Sequence, residues 1–370
     1  MKARGLDVQS VSSPGPLADE FVRKYQIPFY AVSMTREITP HRDLVALFRL
    51  CLLLARLRPE IVHSHTPKGG LLGMIASWLT RVPIRIYQMH GLRYETVTGV
   101  KRNLLMQSER LACQLASVVI CAGDSVRKTA AADGICTPQK MKVLGSGSVN
   151  GIDANSLFNP ARLRQESDRR LRESHRIPSN ALVIGFVGRI VKDKGLVELA
   201  TAWRTLRKEF DNLHWLVVGP YEDHDPVPSD VRHVLDSDPR CHVVGYVEHD
   251  QLPMVLNSMD VLAFPSYREG LPITPLEAAA MGVPVVATRV TGCVDAVVDE
   301  VTGLLVPPRD SDALADALRT YLRDPVLRSK HGAAGRERVL ADFQPERIWQ
   351  ALYQTYQSQL AEKLDRENLD

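Results

Sequence analysis

The sequence predicts an α/β protein with two doubly wound parallel sheets, and three observations support this fold class. Short runs rich in β-branched residues alternate with longer helical patterns along almost the whole chain. Several of these runs are apolar throughout, which is typical of parallel strands that are buried on both faces. There are twelve of them, too many for one such sheet. We therefore expect two sheets, each covered by helices.

The first half of the chain contains six predicted strands and three predicted helices. The strands are Asp7–Val11, Phe29–Val32, Ile61–His65, Arg85–Met89, Val118–Ala122 and Lys142–Leu144. The helices are Pro40–Arg58, Gly70–Thr80 and Lys101–Ala116. Lys2-Ala3-Arg4-Gly5 has the pattern of a final helical turn that ends at a glycine. A doubly wound domain normally begins with a strand before that helix, so we expect the first strand–helix unit to be missing.

The second half repeats the alternation and then ends in helices. Its strands are Leu182–Val187, His214–Val218, His242–Val247, Val261–Phe264, Val283–Thr288 and Leu304–Val306. Its helices are Gly195–Phe210, Asp250–Asn257, Ile273–Met281, Asp310–Arg323, Pro325–Leu340 and Pro345–Leu364. No strand candidate follows the last two helices, and a tail of this kind commonly packs across a domain junction.

A polar stretch at residues 150–179 predicts the boundary between the two domains. It lacks strand candidates and carries five arginines, namely Arg162, Arg164, Arg169, Arg170 and Arg172. We expect an N-terminal domain over 1–160, a linker over 161–179 and a second domain over 180–344. The helix over 345–370 should cross back to the N-terminal domain.

Composition and charge limit the function classes. The chain has 370 residues, of which 45% are hydrophobic and 24% charged, as in ordinary folded proteins. Residues 1–178 hold 26 Lys+Arg against 14 Asp+Glu, a net of +12, whereas residues 179–370 hold 20 against 29, a net of −9. A basic first half suggests an anionic partner such as a membrane surface, although simple drift between two surfaces would give the same pattern. Nucleic acid is not expected, because the basic residues are dispersed and no recognition motif accompanies them.

Cysteine spacing and hydropathy indicate the compartment. The six cysteines are scattered and include no CxxC, which favours reduced structural thiols over a disulfide framework or a zinc site. No apolar run has the length of a membrane span, and the N-terminus lacks the apolar core of a signal peptide. We expect a cytoplasmic protein that either remains free in the cytoplasm or lies peripherally on the inner face of the cytoplasmic membrane.

The most informative segment is residues 263–277, which contain two glutamates eight positions apart. Glu269 lies in the loop after a predicted strand, and Glu277 lies two turns into the following helix. The helix should open with the amides of Gly270, Leu271, Ile273 and Thr274, which can bind phosphate with the help of the helix dipole. A carboxylate within the helix can accept hydrogen bonds from ribose hydroxyls. For the glutamates alone, a capped surface helix with two solvated acids would be the simpler interpretation.

The second segment, residues 185–195, places two cations in a strand-to-helix turn. Gly188 and Arg189 follow the strand directly, and Lys194 precedes the helix. Arg189 could bind a diphosphate bidentately and Lys194 could bind it as a point charge. Such a clamp would make a metal ion unnecessary, and we expect no cofactor. Alone, two basic loop residues are more often simply solvated.

Together, these segments resemble the retaining, nucleotide-sugar-dependent glycosyltransferases of family 4, which have the GT-B fold. The similarity covers nearly the whole chain and extends to Gly282–Thr288, Gly292–Val297 and Thr302–Pro308. It implies two Rossmann-like domains that face each other across a cleft. Pro272 departs from the family pattern, because it removes an amide donor from the loop.

The resemblance also implies roles for individual residues. Glu277 would bind the ribose, Glu269 would contact the transferred sugar, and Arg189 and Lys194 would hold the diphosphate. The strand near Tyr246 would lie beside the nucleobase.

Two strand ends of the first half carry further candidates. His90, in Gln88-Met89-His90-Gly91, matches the family's HG turn, where the histidine lies beside the donor sugar. The segment 63–70 ends the preceding strand and has the pattern of an acceptor-side loop. Its His-x-His is not accompanied by carboxylates or cysteines, so no metal site is expected. The acceptor-side residues are His65, Lys68, Gly69 and Gly70, with Lys68 available to an anionic group.

Two acidic triplets mimic the metal-binding DxD motifs of a different transferase fold. They are Asp223-His224-Asp225 and Asp236-Ser237-Asp238. Neither follows an appropriate strand, so we interpret both as solvated turns in polar loops.

The resemblance implies transfer of a sugar from a UDP- or GDP-sugar to a hydroxyl acceptor, by front-face attack with retention. His90, Glu269, Arg189 and Lys194 would act at the reacting centre. Segments 90–95 and 145–153 are similar to bacterial enzymes that build capsule, exopolysaccharide or O-antigen on lipid-linked saccharides. A sugar-nucleotide 2-epimerase and a non-catalytic nucleotide-sugar-binding partner remain as alternatives.

Overall fold

The computed structural model describes residues 1–35, 39–147, 150–163, 171–223 and 225–367. The chain folds into two compact units. Unit 1 comprises Met1–Ala122, Arg127–Leu144 and the chain from Trp349 onward, and unit 2 comprises Gly123–Val126 and Gly145–Ile348.

Unit 1 is built on parallel strands. These are β1 (Ser10–Ser12), β2 (Phe29–Ala31), β3 (Ile61–His65), β4 (Ile84–Met89), β5 (Val118–Cys121) and β6 (Met141–Val143). β3 to β6 form a four-stranded sheet in sequence order, and β1 and β2 form a separate parallel pair. The helices between the strands are α1 (Pro16–Tyr25), α2 (Pro40–Leu57), α3 (Pro67–Leu79), α4 (Gly99–Leu115) and α5 (Asp124–Ala132).

Local sequence explains where these helices begin and which face they bury. A proline occupies the first position of α1, α2 and α3, where its missing N–H leaves no hydrogen bond unmade. In α2, the side chains of Ala46, Leu50 and Leu54 recur every four residues and are buried against α3. The seam between α2 and α3 therefore follows directly from helical periodicity.

Unit 2 contains one six-stranded parallel sheet. Its strands are β7 (Leu182–Val187), β8 (Leu213–Val218), β9 (Cys241–Gly245), β10 (Val261–Phe264), β11 (Val285–Thr288) and β12 (Gly303–Val306). The helices are α6 (Leu196–Glu209), α7 (Ser229–Ser237), α8 (Leu252–Asn257), α9 (Ile273–Ala280), α10 (Cys293–Ala296), α11 (Ser311–Arg323), α12 (Pro325–Asp342) and α13 (Pro345–Glu367). Of α13, the residues from Trp349 onward belong to unit 1.

The sheet of unit 2 is buried on both faces. In β7, Val183 and Val187 belong to one apolar cluster, whereas Ile184 and Phe186 belong to the other. This alternation places one cluster on each side of the sheet. β7 is apolar throughout because neither of its faces is exposed to water.

The strand order of unit 2 is β12-β11-β10-β7-β8-β9. The chain thus proceeds outward from β7 in one direction and from β10 in the other. The crevice between β7 and β10 is a topological switch point, the place where open α/β sheets bind ligands at their carboxyl edge.

The α/β class with two parallel-sheet units is confirmed, and so are most elements. Three strands, Ile61–His65, Leu182–Val187 and Val261–Phe264, have the predicted bounds. Gly5 ends a short 3-10 turn in the left-handed conformation, as its sequence indicated. The helices α1, α5 and α7 were missed, because their sequences are polar. Among the described residues, no helix is both long and apolar enough to cross a membrane.

Candidate active site

The switch point of unit 2 brings together the two segments that the sequence analysis identified. The loop after β7 contains Arg189 and Lys194, and the loop after β10 contains Glu269. β7 and β10 are hydrogen-bonded neighbours and run parallel, so both loops leave the same edge of the sheet.

Lys194 and Glu269 form an ion pair between these loops, with Nζ 2.5 Å from Oε1. Both side chains are mostly buried. The hydroxyl of Ser266 donates a hydrogen bond to the same carboxylate oxygen at 2.6 Å. The ammonium also lies 5.8 Å from the ring centroid of Phe264. The cation and the carboxylate that were predicted to bind different parts of one donor are therefore direct neighbours.

The backbone around Lys194 is held by contacts that the sequence did not reveal. Asp225, from the loop after β8, accepts a hydrogen bond from the amide of Asp193 at 3.1 Å. Gly195 follows with φ of 72°, and a Cβ at this position would lie 1.9 Å from the carbonyl oxygen of Pro265. The turn that presents Lys194 is thus fixed from two sides.

Asp225 and Asp238 correct the interpretation of the acidic triplets as solvated turns. Asp225 binds the lysine turn, and Asp236 and Ser237 end helix α7 instead of lying in a loop. Asp238 is buried and accepts a hydrogen bond from the indole of Trp203 at 3.0 Å. These carboxylates have structural partners within unit 2. His224 lies outside the described residues.

Arg189 lies half-exposed at the same edge, with Nη1 2.8 Å from Oε2 of Glu222. The preceding Gly188 donates its amide to the carbonyl of Val218 at 2.9 Å, which ties the turn to the end of β8. Both members of the predicted cationic clamp are therefore paired with glutamates in this structure.

Glu277 is buried within α9, where only 4% of its surface is accessible. Its Oε1 lies 2.9 Å from Nε2 of His249, a residue from the segment after β9. The ring of His249 also contacts Phe158 edge-on, with 5.3 Å between centroids. His249 was missed in the sequence, although its position four residues after β9 was a usable signal.

The start of α9 has the predicted position. Pro272 precedes the helix in an extended conformation, and Ile273 is its first residue. The amides of Ile273 and Thr274 fall in the first turn, where an α-helix has no internal acceptors for them. Gly270 is tightly packed, since a Cβ on Gly292 would lie 2.3 Å from its carbonyl oxygen.

Leu271 and Tyr246 occupy contrasting positions near this edge. Leu271 packs partly buried against an apolar cluster of unit 2. Tyr246, directly after β9, is 70% exposed, and its hydroxyl lies 3.4 Å from Oε2 of Glu248. An exposed aromatic face at this edge is a suitable stacking surface for a planar ring.

In unit 1, three histidines meet at the carboxyl ends of β3 and β4. Nδ1 of His65 lies 3.2 Å from Nε2 of His90. The rings of His63 and His65 stack with 4.4 Å between centroids, as expected for alternate residues of one strand. Nδ1 of His63 lies 2.7 Å from the hydroxyl of Tyr356 in α13.

These imidazoles are held in the neutral form. Burial, and secondarily the neighbouring His65, lowers the pKa of His63 to about 3. Burial, and secondarily His90, lowers the pKa of His65 to about 4, and burial also lowers the pKa of His90. In the contact between His65 and His90, one neutral ring must donate and the other must accept. The contact therefore couples the tautomers of the two rings, since Nδ1 of His65 carries a proton when Nε2 of His90 does not, and the reverse.

The remaining acceptor-side residues lie at the start of α3. Lys68, which the sequence suggested was available to an anion, has its Nζ 2.7 Å from Oδ1 of Asp43. An anionic acceptor would have to compete with that carboxylate. A Cβ on Gly70 would lie 2.2 Å from the ring of Tyr87, and one on Gly69 would lie 3.1 Å from Thr66. Gly70 is thus required for packing within unit 1.

Comparison with known protein families matches both halves of the chain. Residues 167–338 match the model of the glycosyl transferases group 1, and residues 1–147 match a glycosyl transferase 4-like domain.

Three known proteins illustrate the similarity. The capsular polysaccharide biosynthesis glycosyltransferase CapM of Staphylococcus aureus is 34% identical, over 98% of this chain and 92% of its own. An Escherichia coli UDP-Gal:alpha-D-GlcNAc-diphosphoundecaprenol alpha-1,3-galactosyltransferase is 26% identical, over 85% of this chain and 79% of its own. The crystal structure of Anabaena Alr3699/HepE, solved in complex with UDP, has the same fold, with a TM-score of 0.77 at 21% identity, covering 94% of this chain and 91% of that one. The chain therefore belongs to the group 1 glycosyltransferases and is a glycosyltransferase of the GT-B fold.

Proposed function

We propose that this enzyme transfers a sugar, with retention of its anomeric configuration, from a UDP- or GDP-sugar to a hydroxyl group of a lipid-linked saccharide. The product would be a precursor of a bacterial surface polysaccharide such as capsule. The observation that carries this proposal is the group of two cations and two carboxylates in unit 2. Lys194 is paired with Glu269 at the switch point, Arg189 lies at the same edge, and Glu277 lies in the adjoining helix α9.

The cations suit a diphosphate leaving group. Arg189 and Lys194, together with the first amides of α9, would bind the diphosphate and stabilise the charge that develops on it. A reaction supported in this way needs no metal ion, so we expect activity to persist in the presence of a chelator.

The carboxylates suit the hydroxyl groups of a donor. Glu277 would accept hydrogen bonds from the ribose, and Glu269 would do so from the transferred sugar. The exposed ring of Tyr246 would stack on the nucleobase. We propose that unit 1 supplies the acceptor side through His65, Lys68, Gly69 and Gly70, with His90 acting on the transferred sugar.

The proposed chemistry is a front-face substitution. The acceptor oxygen forms a bond to the anomeric carbon as the bond from that carbon to the diphosphate oxygen breaks. The acceptor's proton passes to the departing diphosphate. This route is proposed because no side chain of the predicted site is an obvious nucleophile for a double displacement.

Two relatives support the substrate classes. The staphylococcal relative is named for capsular polysaccharide biosynthesis, and the Escherichia coli relative is named for a UDP-sugar donor and a diphosphoundecaprenol-linked acceptor. If this chain uses an acceptor of that class, it works at the inner face of the cytoplasmic membrane.

The test is to measure nucleoside diphosphate release from UDP- and GDP-sugars, with and without an undecaprenyl-diphosphate-linked saccharide and with and without EDTA. We expect release that depends on the acceptor, and a product with the donor's anomeric configuration by NMR. An inverted product would contradict the front-face route. Conversion of the donor to its 2-epimer would favour an epimerase, and donor binding without turnover would favour a non-catalytic partner.

A further inference from the structure

Two thiols of unit 1 lie against each other at the wall of a cavity. Cys113, in the last turn of α4, is buried, whereas Cys136, in the connection between α5 and β6, is partly exposed. The two thiols share a hydrogen bond. Both side chains line a partly open cavity of about 500 Å³. The pair is therefore within reach of small molecules in solution.

The connection that carries Cys136 is fastened to α4 on both sides of this thiol. Before it, Nε of Arg110 in α4 donates a hydrogen bond to the carbonyl of Gly134 at 3.0 Å. After it, Nζ of Lys140 donates to the carbonyl of Gln114 at the end of α4, at 2.8 Å. Both cations also line the cavity. These two contacts hold the thiols together and make their surroundings basic.

The two thiols differ in acidity. The hydrogen bond from Cys113, with the charge of Lys140 and the amide of Thr137, lowers the pKa of Cys136 in spite of its burial. The pKa of Cys113 is raised, because its proton is held in that hydrogen bond and its side chain is buried. Cys136 is therefore the group that ionises, and Cys113 is the donor to it. A thiolate beside a cation is the reactive form of cysteine.

Two other roles suit these thiols less well. A buried cysteine commonly acts as a small apolar side chain, which describes Cys113 but not Cys136 at the wall of a basic cavity. A metal centre needs further ligands, and within the described ranges no three His, Cys, Asp or Glu side chains are grouped to hold an ion. A close pair of unequal thiols is typical of a redox site, in which one thiol reacts and the other resolves the product.

We propose that Cys136 and Cys113 are a site of oxidation by hydroperoxides, which converts them to a reversible disulfide between α4 and the connection that precedes β6. In the first step, the sulfur of Cys136 attacks one oxygen of the hydroperoxide. The S–O bond forms as the O–O bond breaks, and hydroxide or alkoxide leaves. The sulfur is thereby oxidised to a sulfenic acid, and the hydroperoxide is reduced.

The second step closes the disulfide. The sulfur of Cys113 attacks the sulfenic sulfur of Cys136, and the S–S bond forms as the S–O bond breaks. The hydroxyl group leaves with the proton of Cys113 as water. A dithiol reductant returns both residues to thiols by exchange through a mixed disulfide.

This site goes beyond the proposed function and does not depend on it. The last turn of α4 leads into β5, and the connection that carries Cys136 leads into β6, so the pair lies toward the amino ends of the unit 1 strands. His65 and His90 lie at the carboxyl ends of β3 and β4. Oxidation of the thiols therefore requires neither a sugar donor nor an acceptor.

The test begins with the unaltered full chain. The reduced protein is treated with submillimolar hydrogen peroxide, its remaining thiols are blocked with N-ethylmaleimide, and its tryptic peptides are analysed by mass spectrometry without reduction. We expect two of the six thiols to be lost and peptide 111–127 to be joined to peptide 129–140. Because the first peptide contains both Cys113 and Cys121, fragmentation must place the bond on Cys113. Dithiothreitol should restore both thiols.

The reactivity of individual thiols provides a second measurement on the same protein. At pH 7, iodoacetamide should label Cys136 about fivefold faster or more than Cys51 or Cys241. Those two are also partly exposed, but burial raises the pKa of each. Lys140→Gln should slow the labelling of Cys136, and Lys140→Arg should restore it.

Serine variants separate the two steps. Cys113→Ser should stop at the sulfenic acid, which dimedone traps on Cys136, whereas Cys136→Ser should form neither product. Cys121→Ser is the matched control and should form the disulfide like the parent chain. The inference is overturned if the peroxide-treated parent forms no disulfide, if the bond involves Cys121, or if Cys136 is labelled no faster than Cys241.

Discussion

Lys194 and Glu269 are 75 positions apart in sequence, yet Nζ and Oε1 lie 2.5 Å apart where the loops after β7 and β10 meet. Each group therefore compensates the charge of the other in a mostly buried setting. In the proposed function, a diphosphate at Lys194 would compete with Glu269 for the cation. The energetic cost is reduced if sugar hydroxyls donate to the carboxylate at the same time, so diphosphate and sugar recognition should be coupled through this pair.

The first prediction concerns the charge of Lys194. Lys194→Ala should lower turnover by a factor of about 100 or more, because the leaving diphosphate loses a preorganised cation. The measurement is steady-state release of nucleoside diphosphate. Lys192→Ala, at an exposed lysine of the same short turn, is the matched control and should retain activity. Equal activity of both variants would remove this loop from the mechanism.

The second prediction separates the two glutamates. Glu277→Gln should mainly weaken donor binding, whereas Glu269→Gln should mainly slow transfer, because the two carboxylates are proposed to contact different parts of the donor. Donor affinity by calorimetry and turnover under saturating donor distinguish the two effects. His249→Ala should also lower donor affinity, but by less than Glu277→Gln, because the ring of His249 contacts the carboxylate of Glu277. Circular dichroism must show that each variant is folded, and the assignment fails if both glutamine variants bind and react normally.

The third prediction concerns the contact between His65 and His90. His90→Ala should slow transfer strongly, and His65→Ala should slow it by about tenfold, through loss of the partner that fixes the ring of His90. His65→Asn keeps a hydrogen-bonding group near the position of Nδ1 and should restore most of the rate. The readout is kcat at saturating donor for the three variants. If His65→Asn is as slow as His65→Ala, the hydrogen bond is not what matters at this position.

The fourth prediction follows from the lowered pKa of His63, which is about 3 in the folded protein. The unfolded chain binds a proton at this residue below about pH 6.5, whereas the folded chain does not. The stability that goes with a neutral, buried His63 is therefore complete above about pH 6.5. It is lost as the pH falls toward about 3, which is the pKa of His63 in the folded protein. Between about pH 7 and about pH 5 this amounts to about 2 kcal/mol.

His63→Gln should accordingly reduce the loss of unfolding free energy on acidification, as measured by urea unfolding of the full chain at the two pH values. His233→Gln, at an exposed histidine of α7, serves as the control. Parallel pH dependence in the parent chain and in His63→Gln would mean that the buried imidazole does not cause the acid sensitivity.

Much of the fold could be predicted from the sequence, because uniformly apolar runs bounded by polar turns have few other interpretations. The strands β7 and β10 show this, since each ends where its apolar run ends. The helix α7 was missed, because it has only nine mostly polar residues and buries only Val231 and Leu235. A pattern with so few apolar positions cannot be distinguished from a loop.

The site could be predicted only in part, for a different physical reason. Residue types and strand ends indicate Lys194, Glu269 and Glu277 as candidates, but ion pairs form between side chains that lie far apart in sequence. The pairing of Lys68 with Asp43 and that of His249 with Glu277 depend on how helices and loops pack. No local pattern encodes these contacts.

The glycines around the loop at 265–270 limit how such an enzyme can change over evolutionary time. Gly195 lies against the carbonyl group of Pro265, and Gly292 lies against that of Gly270, at the two ends of the loop. A side chain at either glycine would therefore displace the backbone that presents Glu269. Single substitutions cannot reshape this part of the site gradually. A lineage that acquires a new donor is therefore expected to do so through exposed side chains such as Tyr246, whose replacement leaves the backbone undisturbed.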